Sequence, residues 1–139
     1  MKYSIVIILV CISSICKAQF YLELNEAQAR IELQKDDLIN ITKKYNEDGT
    51  FRLMARFPSG IKAAEYVLFD DHNFSYKSCV IPDDFEWYQT ILQSYNNTWI
   101  KYSNNEWHVL NHVTKRIVKI LDSYTENTHA HIFFFTYIN

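Results

Sequence analysis

The stretch of residues 81–110 constrains the fold more than any other part of the chain. Asp83 precedes a series of apolar residues and Glu86 follows three positions later, which is the pattern of a helix cap with its reciprocal partner. Apolar residues then recur at intervals of three or four, as along one face of a helix: Phe85, Tyr88, Ile91, Leu92 and Tyr95. The polar residues between them are predicted to face solvent: Glu86, Gln89, Gln93 and Ser94.

Two segments with strand character follow this helix. Asn96 and Asn97 interrupt the helical period, and residues 98–102 and 107–110 are rich in β-branched and aromatic side chains, which strands favour. The polar residues 103–105 between them are typical of a turn. The second half of the chain is therefore predicted to begin as helix, strand, turn and strand.

The first half of the chain begins with the same kind of signal. Residues 20–24 have the composition of a short leading strand. Asn25 with Gln28 forms a second cap pair, and good helix formers follow until Asp36 and Asp37. We expect a first helix of about three turns there.

Two hairpins are predicted after this first helix. Residues 38–45 and 50–57 flank a turn that contains Gly49, and residues 64–69 and 74–81 flank a second polar turn. A competing interpretation continues a helix through the first of these segments as far as Gly49. The β-branched residues of both segments favour the hairpin.

The last 25 residues contain the most apolar strand signal of the chain. Residues 129–138 read HAHIFFFTYI, with apolar side chains on both faces, which is typical of a central or doubly covered strand. Residues 115–124 fit either a helix or a strand. The turn-like residues 125–128 between the two segments favour the strand.

Together these elements predict an α+β fold, in which an antiparallel sheet of about eight strands carries two helices on one face. Helix and four strands occur twice, so residues 19–139 are expected to form a single domain, possibly of two similar halves, 19–81 and 82–139. In architecture this arrangement resembles secreted inhibitors and scaffold proteins that set helices against one face of an antiparallel sheet. No motif extends that resemblance to a family.

The first 18 residues have the layout of a secretory signal peptide. Lys2 precedes an apolar run at residues 5–12, and Ala18 supplies a small residue for cleavage. We therefore expect an exported protein, periplasmic or extracellular. An alternative is lipidation of Cys16. Cleavage would leave Cys79 as a lone cysteine without a disulfide partner.

Charge and hydropathy exclude two classes of partner. The chain has 14 Lys and Arg against 16 Asp and Glu, and the cations are scattered, so a nucleic-acid surface with clustered cations is not predicted. No second apolar run reaches the length of a membrane span. The sequence also indicates no cofactor.

The histidines and Cys79 are the candidates for chemistry. The spacings of His108 with His112 and of His129 with His131 allow a zinc-like site if the segments converge. Cys79 would need an activating histidine such as His72 to act as a nucleophile. A buried thiol and ordinary strand and turn histidines are the simpler interpretations, and the paired aspartates fit caps and turns.

The tryptophans suggest a binding surface. Trp87, Trp99 and Trp107 are candidates for an aromatic platform, and Trp87 lies near the edge of the helical apolar stripe, where interface anchors are common. We therefore predict a small exported, non-enzymatic binding or inhibitor-like protein that uses the outer sheet face or the edge around Trp87. The alternatives are a carrier of a small lipid or sugar in an aromatic cleft, and a His-based metal-binding protein or enzyme.

Overall fold

The computed structural model describes residues 20–139, in which two helices and eight strands occur. The helices are α1 (Glu26–Lys35) and α2 (Phe85–Thr98). The strands are β1 (Ile39–Tyr45), β2 (Phe51–Arg56), β3 (Ala63–Phe69), β4 (Ser75–Pro82), β5 (Ile100–Ser103), β6 (Glu106–Asn111), β7 (Arg116–Thr125) and β8 (Ala130–Tyr137). The predicted signal peptide, its cleavage after Ala18 and the alternative of lipidation at Cys16 lie outside the described residues.

All eight strands form one antiparallel sheet in the order β1-β2-β3-β4-β8-β7-β6-β5. Each half contributes a meander of four strands, and the two meanders join where β4 pairs with β8. Both helices lie on one face of this open sheet, which confirms the predicted α+β fold. The helical alternatives for the segments that form β1 and β7 are wrong, because both segments pair with neighbouring strands.

Helix α1 begins as predicted. The Asn25 side chain accepts a hydrogen bond from the Gln28 backbone N–H at 2.9 Å, and the Gln28 side chain accepts from the Asn25 N–H at 3.0 Å. No strand forms at residues 20–24, because positive φ angles at Tyr21 (47°) and Glu23 (59°) turn the chain out of the extended conformation. Instead, Glu23 donates its backbone N–H to the Ser75 carbonyl at 2.7 Å.

Helix α2 begins one residue later than the sequence indicates. Its cap is Asp84, whose carboxylate accepts from the Trp87 N–H at 2.9 Å. The predicted cap, Asp83, pairs instead with the guanidinium of Arg56. The helix also continues through the Asn pair to Thr98, and Asn96 accepts a hydrogen bond from the Trp107 indole at 3.1 Å.

The exposure of two α2 residues differs from the prediction. Ser94 is buried and Phe85 is exposed. Ser94 follows Ile91 by three positions and precedes Tyr95, so helical geometry places it on the buried face despite its polarity. Phe85 is the first helical residue, at the free end of that face.

The core lies between the helices and the sheet. Ala29 and Leu33 of α1 and Ile91 and Tyr95 of α2 are buried against inward-facing strand residues. These residues include Leu53, Val67, Val80, Trp107, Val118, Ile120, Phe133 and Phe135. Strand β8 is central, as predicted. Neither described helix has the length and hydropathy that a membrane crossing requires.

Candidate binding face

The sheet face opposite the two helices is not covered by either described helix. We call it the open face. Side chains alternate between the faces of a strand, and directly paired residues of neighbouring strands share a face. Because Leu53 and Val67 are paired and buried beneath the helices, the residues on either side of them belong to the open face.

An apolar row crosses the centre of the open face. It follows directly paired residues through five neighbouring strands: Met54, Tyr66, Cys79, Phe134 and Leu121. Cys79 is buried by its neighbours, and the other four side chains are half-buried. Exposed sheet faces usually carry polar residues, so this row is unusual for a face that meets only water.

A basic row runs beside the apolar row, two residues along each strand. Its members are Lys44, Arg52, Leu68 and Lys77 in the first meander and Thr136, Lys119 and His108 in the second. Lys77 Nζ lies 4.3 Å from the centre of the Phe134 ring, and the Arg52 guanidinium lies 5.7 Å from that of Tyr66. The cations therefore border the apolar row closely.

Four exposed apolar residues of the open face lie on β5, β6 and β7, and we call them the exposed apolar cluster. Its members are Ile100, Tyr102, Leu110 and Ile117. Ile100 is 78% and Tyr102 69% exposed. The Tyr102 ring stacks on the His108 ring with centroids 4.2 Å apart, which orders one side of the cluster without covering it.

The open face is positively charged, although the chain as a whole has a formal charge of −2. Within residues 20–139, the Lys and Arg side chains of the basic row form no ion pair with a carboxylate. Glu106, at the end of the apolar row, contacts His108 at 2.6 Å. The open face therefore offers free cations beside apolar groups.

The three tryptophans do not form one platform. Trp107 is fully buried in the core, so its predicted role on a binding surface is wrong. Trp87 and Trp99 are partly buried and pack against the core, and the Trp99 ring contacts Tyr95 at 4.5 Å between centroids. Trp107 pairs with the buried Ile120, so its indole lies on the side of β6 that faces the helices.

The four candidate histidines are not brought together as a group. His112 and His129 lie in the turns at opposite ends of β7, which are about 33 Å apart at 3.3 Å per residue. His108 faces the open face, and His131 contacts Tyr88 of α2 on the other. His129 and His131 line a common cavity.

Cys79 and His72 are also apart. His72 lies in the exposed β3–β4 turn beside Asp71, while burial, with a smaller contribution from Glu65, raises the pKa of the Cys79 thiol to about 12. Such a thiol is a poor nucleophile. Asp70, Asp71 and His72 are the one group of three potential metal ligands whose atoms lie within 4.8 Å of one another in residues 20–139, and it is largely exposed.

Two polar features of the fold, a buried glutamate and an aspartate bonded to Tyr88, are not predicted from the sequence. Glu65 is buried in the core within a strand that is otherwise apolar on that side. Asp122 accepts a hydrogen bond from the Tyr88 hydroxyl at 2.6 Å and lies 2.9 Å from His131 Nδ1. Burial and this hydrogen bond raise the pKa of the Tyr88 hydroxyl. Only the pairing of β7 with β8 brings Asp122 beside His131, so spacing gives no signal for it.

Comparison of the chain with protein-family models, with curated proteins and with solved structures gave no match in any of the three.

Proposed function

We propose that this chain is an exported, non-enzymatic binding protein of the inhibitor type, and that its open face docks an acidic surface of a partner protein. The observation that carries the proposal is the exposed apolar cluster, which lies beside the basic row on the sheet face opposite the helices. Export is inferred from the signal-like residues 1–18.

The apolar residues supply a reason for binding. Ile100 pairs with His108, two residues from Leu110 on β6, and Leu110 pairs with Ile117 on β7. Exposed apolar groups spread over neighbouring strands in this way favour association with another surface. Tyrosine is enriched at such interfaces because its ring is large and its hydroxyl tolerates water. Burial of this cluster would supply the non-directional part of the affinity.

The charges determine the chemistry of the partner. Lys119 lies directly opposite His108 in the strand ladder, and Arg52 and Lys77 continue the positive charge across the sheet. Charge complementarity requires carboxylates on the partner, placed beside apolar side chains that meet the exposed apolar cluster. The excess of acidic residues elsewhere on the chain would repel such a partner from other faces.

The size of the open face fits a protein partner. Seven spacings of about 4.8 Å and strands of about six residues at 3.3 Å give a face roughly 34 Å by 20 Å. The resulting footprint of roughly 700 Å² approaches the area of about 800 Å² that each partner contributes to a standard interface. A small ligand would use only a fraction of it.

Site-specific photo-crosslinking in the producing cells tests the proposal. A photoreactive amino acid replaces Tyr102 on the open face or, as the control, Gln89 on the exposed side of α2. We expect a discrete protein adduct from position 102 alone. Lys119→Glu should reduce its yield about ten-fold, because like charges at an interface oppose binding, whereas Lys35→Glu on α1 should leave the yield unchanged.

Three results would contradict the proposal. Equal adducts from positions 102 and 89 would show contact without a preferred face. An adduct yield that Lys119→Glu leaves unchanged would show that the partner surface is not acidic. A lipid or glycan adduct in place of a protein would assign the face to another class of ligand. Circular dichroism of each variant, with spectra equal to the parent, confirms that the fold is kept.

A further inference from the structure

A second feature lies away from the open face, between the first turn of α2 and the β7–β8 turn. A cavity of about 180 Å³ is lined there by residues of both segments, including Asp84, Tyr88, His129 and His131. Its polar lining combines two imidazoles with the carboxylates of Asp84 and of Asp83, the latter paired with Arg56. These groups bind divalent transition metals such as zinc in many proteins.

The orientation of His131 is fixed by its neighbours. Its Nδ1 lies 2.9 Å from a carboxylate oxygen of Asp122, and its ring stacks on Tyr88 with centroids 3.9 Å apart. The carboxylate favours the proton on Nδ1, so the other ring nitrogen, Nε2, carries the lone pair. A carboxylate that accepts the second ring N–H is the usual support of a metal-binding histidine.

His129 and Asp84 each have one ligand atom left. His129 Nδ1 lies 3.2 Å from the Tyr124 hydroxyl, which leaves Nε2 for a metal. One carboxylate oxygen of Asp84 accepts the capping bond from Trp87, and its second oxygen is not needed for that bond. Each of the two elements that border the cavity therefore supplies a potential ligand.

We propose that His131, His129 and Asp84 form a site for a divalent transition metal of the zinc type, with water completing the coordination. Their three ligand atoms are not yet within 4.8 Å of one another, since the one such group in residues 20–139 is Asp70, Asp71 and His72. Binding therefore draws the exposed turn that carries His129 toward His131. The metal would join this turn to the start of α2.

Zinc titration of the full chain, purified without a histidine tag, tests the site by isothermal calorimetry. We expect one zinc ion per chain. His131→Ala and His129→Ala should each weaken binding at least ten-fold. Asp84→Asn should also weaken it, and because asparagine is an equally good cap, a loss of affinity in this variant reports on the ligand and not on the helix.

The controls are His112→Ala and His72→Ala, which should bind zinc as the parent does. A second readout is the histidine ¹⁵N spectrum, in which Nε2 of His129 and His131 should shift on addition of zinc. Absence of binding at millimolar zinc would overturn the proposal. So would affinity that is lost in His72→Ala and kept in His131→Ala, because it would place the metal at the exposed β3–β4 turn.

Discussion

The buried carboxyl of Glu65 leads to a prediction about the stability of the folded chain that does not depend on any partner. Its side chain is 2% exposed, on the helix-facing side of β3 between Ala55 and Val80 of the neighbouring strands. Burial raises the pKa of this carboxyl well above its ordinary value, and the charge of Asp36 adds to the rise, while a hydrogen bond with Ser78 acts in the opposite sense. We expect Glu65→Gln to stabilise the protein at neutral and alkaline pH.

The sign and size follow from proton linkage. Below the unfolded-state pKa of about 4.3, the folded and unfolded chains both carry the proton on Glu65, so this carboxyl does not make the free energy of unfolding depend on pH. Above it the unfolded chain releases the proton while the folded chain holds it, so the free energy of unfolding falls as pH rises. The loss is up to about 1.4 kcal/mol per pH unit until the folded-state pKa is passed, and is constant beyond it.

The glutamine amide removes this loss and can keep the local bonding. The Ser78 hydroxyl donates to the Phe20 carbonyl at 2.8 Å, so the lone pairs of its oxygen are open to a hydrogen bond donated by the amide of Glu65→Gln. Parent and variant should therefore have similar stability near pH 4. Their stabilities should separate progressively as pH rises.

Urea unfolding followed by tryptophan fluorescence from pH 4 to pH 8 measures the difference. Glu47→Gln, in the exposed β1–β2 turn, is the matched control and should parallel the parent at every pH. A constant difference between Glu65→Gln and the parent across this range would refute the reasoning. It would mean that the Glu65 carboxyl titrates alike in the folded and unfolded chains.

Three further outcomes are expected from the core, the second helix cap and the thiol. Trp107→Ala should lower the free energy of unfolding by about 3–5 kcal/mol, as for other buried aromatic residues, measured by urea unfolding. Asp84→Ala should lower the free energy of unfolding by about 1 kcal/mol, because the helix cap is lost. Asp83→Ala breaks a partly exposed ion pair and should lower it by less than about 1 kcal/mol in the same assay. The reverse order would show that Asp83 is the cap. With the other cysteines replaced by serine, Cys79 should react with a thiol reagent at pH 8 roughly a thousand-fold more slowly in the folded than in the unfolded chain, because burial raises its pKa to about 12; equal rates would contradict its burial.

The order of elements was predictable because local signals agree with the final fold. The Asn25 and Gln28 side chains bond each other's backbone as the sequence indicates, and the turn signals around Gly49 lie between paired strands. Gly49 itself has φ of +84°, a conformation that glycine adopts without strain. Such signals act within four residues, so they do not depend on tertiary contacts.

The start of α2 shows where local signals fail. Asp83 and Asp84 are chemically identical candidates for the cap, and the sequence favours Asp83 because Glu86 follows it at box spacing. In the folded chain Asp83 is drawn to the guanidinium of Arg56, 27 positions away, which leaves the cap to Asp84. A tertiary contact therefore decides between two residues that local propensity cannot separate.

The open face could be predicted only in part. Side chains alternate between the two faces of a strand. When both sets are apolar, the sequence does not show which set the helices cover. Strand β8 carries Phe133 and Phe135 on one face and Phe134 on the other, so its sequence does not show which face the helices cover. The basic row depends on register across seven strands, which no local pattern determines.

The seam between the two meanders explains why the open face is large enough to bind a protein. Each meander alone has four strands and three spacings, a width of roughly 14 Å, too narrow for a standard interface. Pairing of Cys79 with Phe134 at the β4–β8 seam joins the two apolar sets into one row, and both helices lie on the opposite face of the joined sheet. A substitution that loosened the seam would therefore divide the open face while leaving the exposed apolar cluster in place. On the proposed function, we expect such a substitution to weaken partner binding, as Lys119→Glu does.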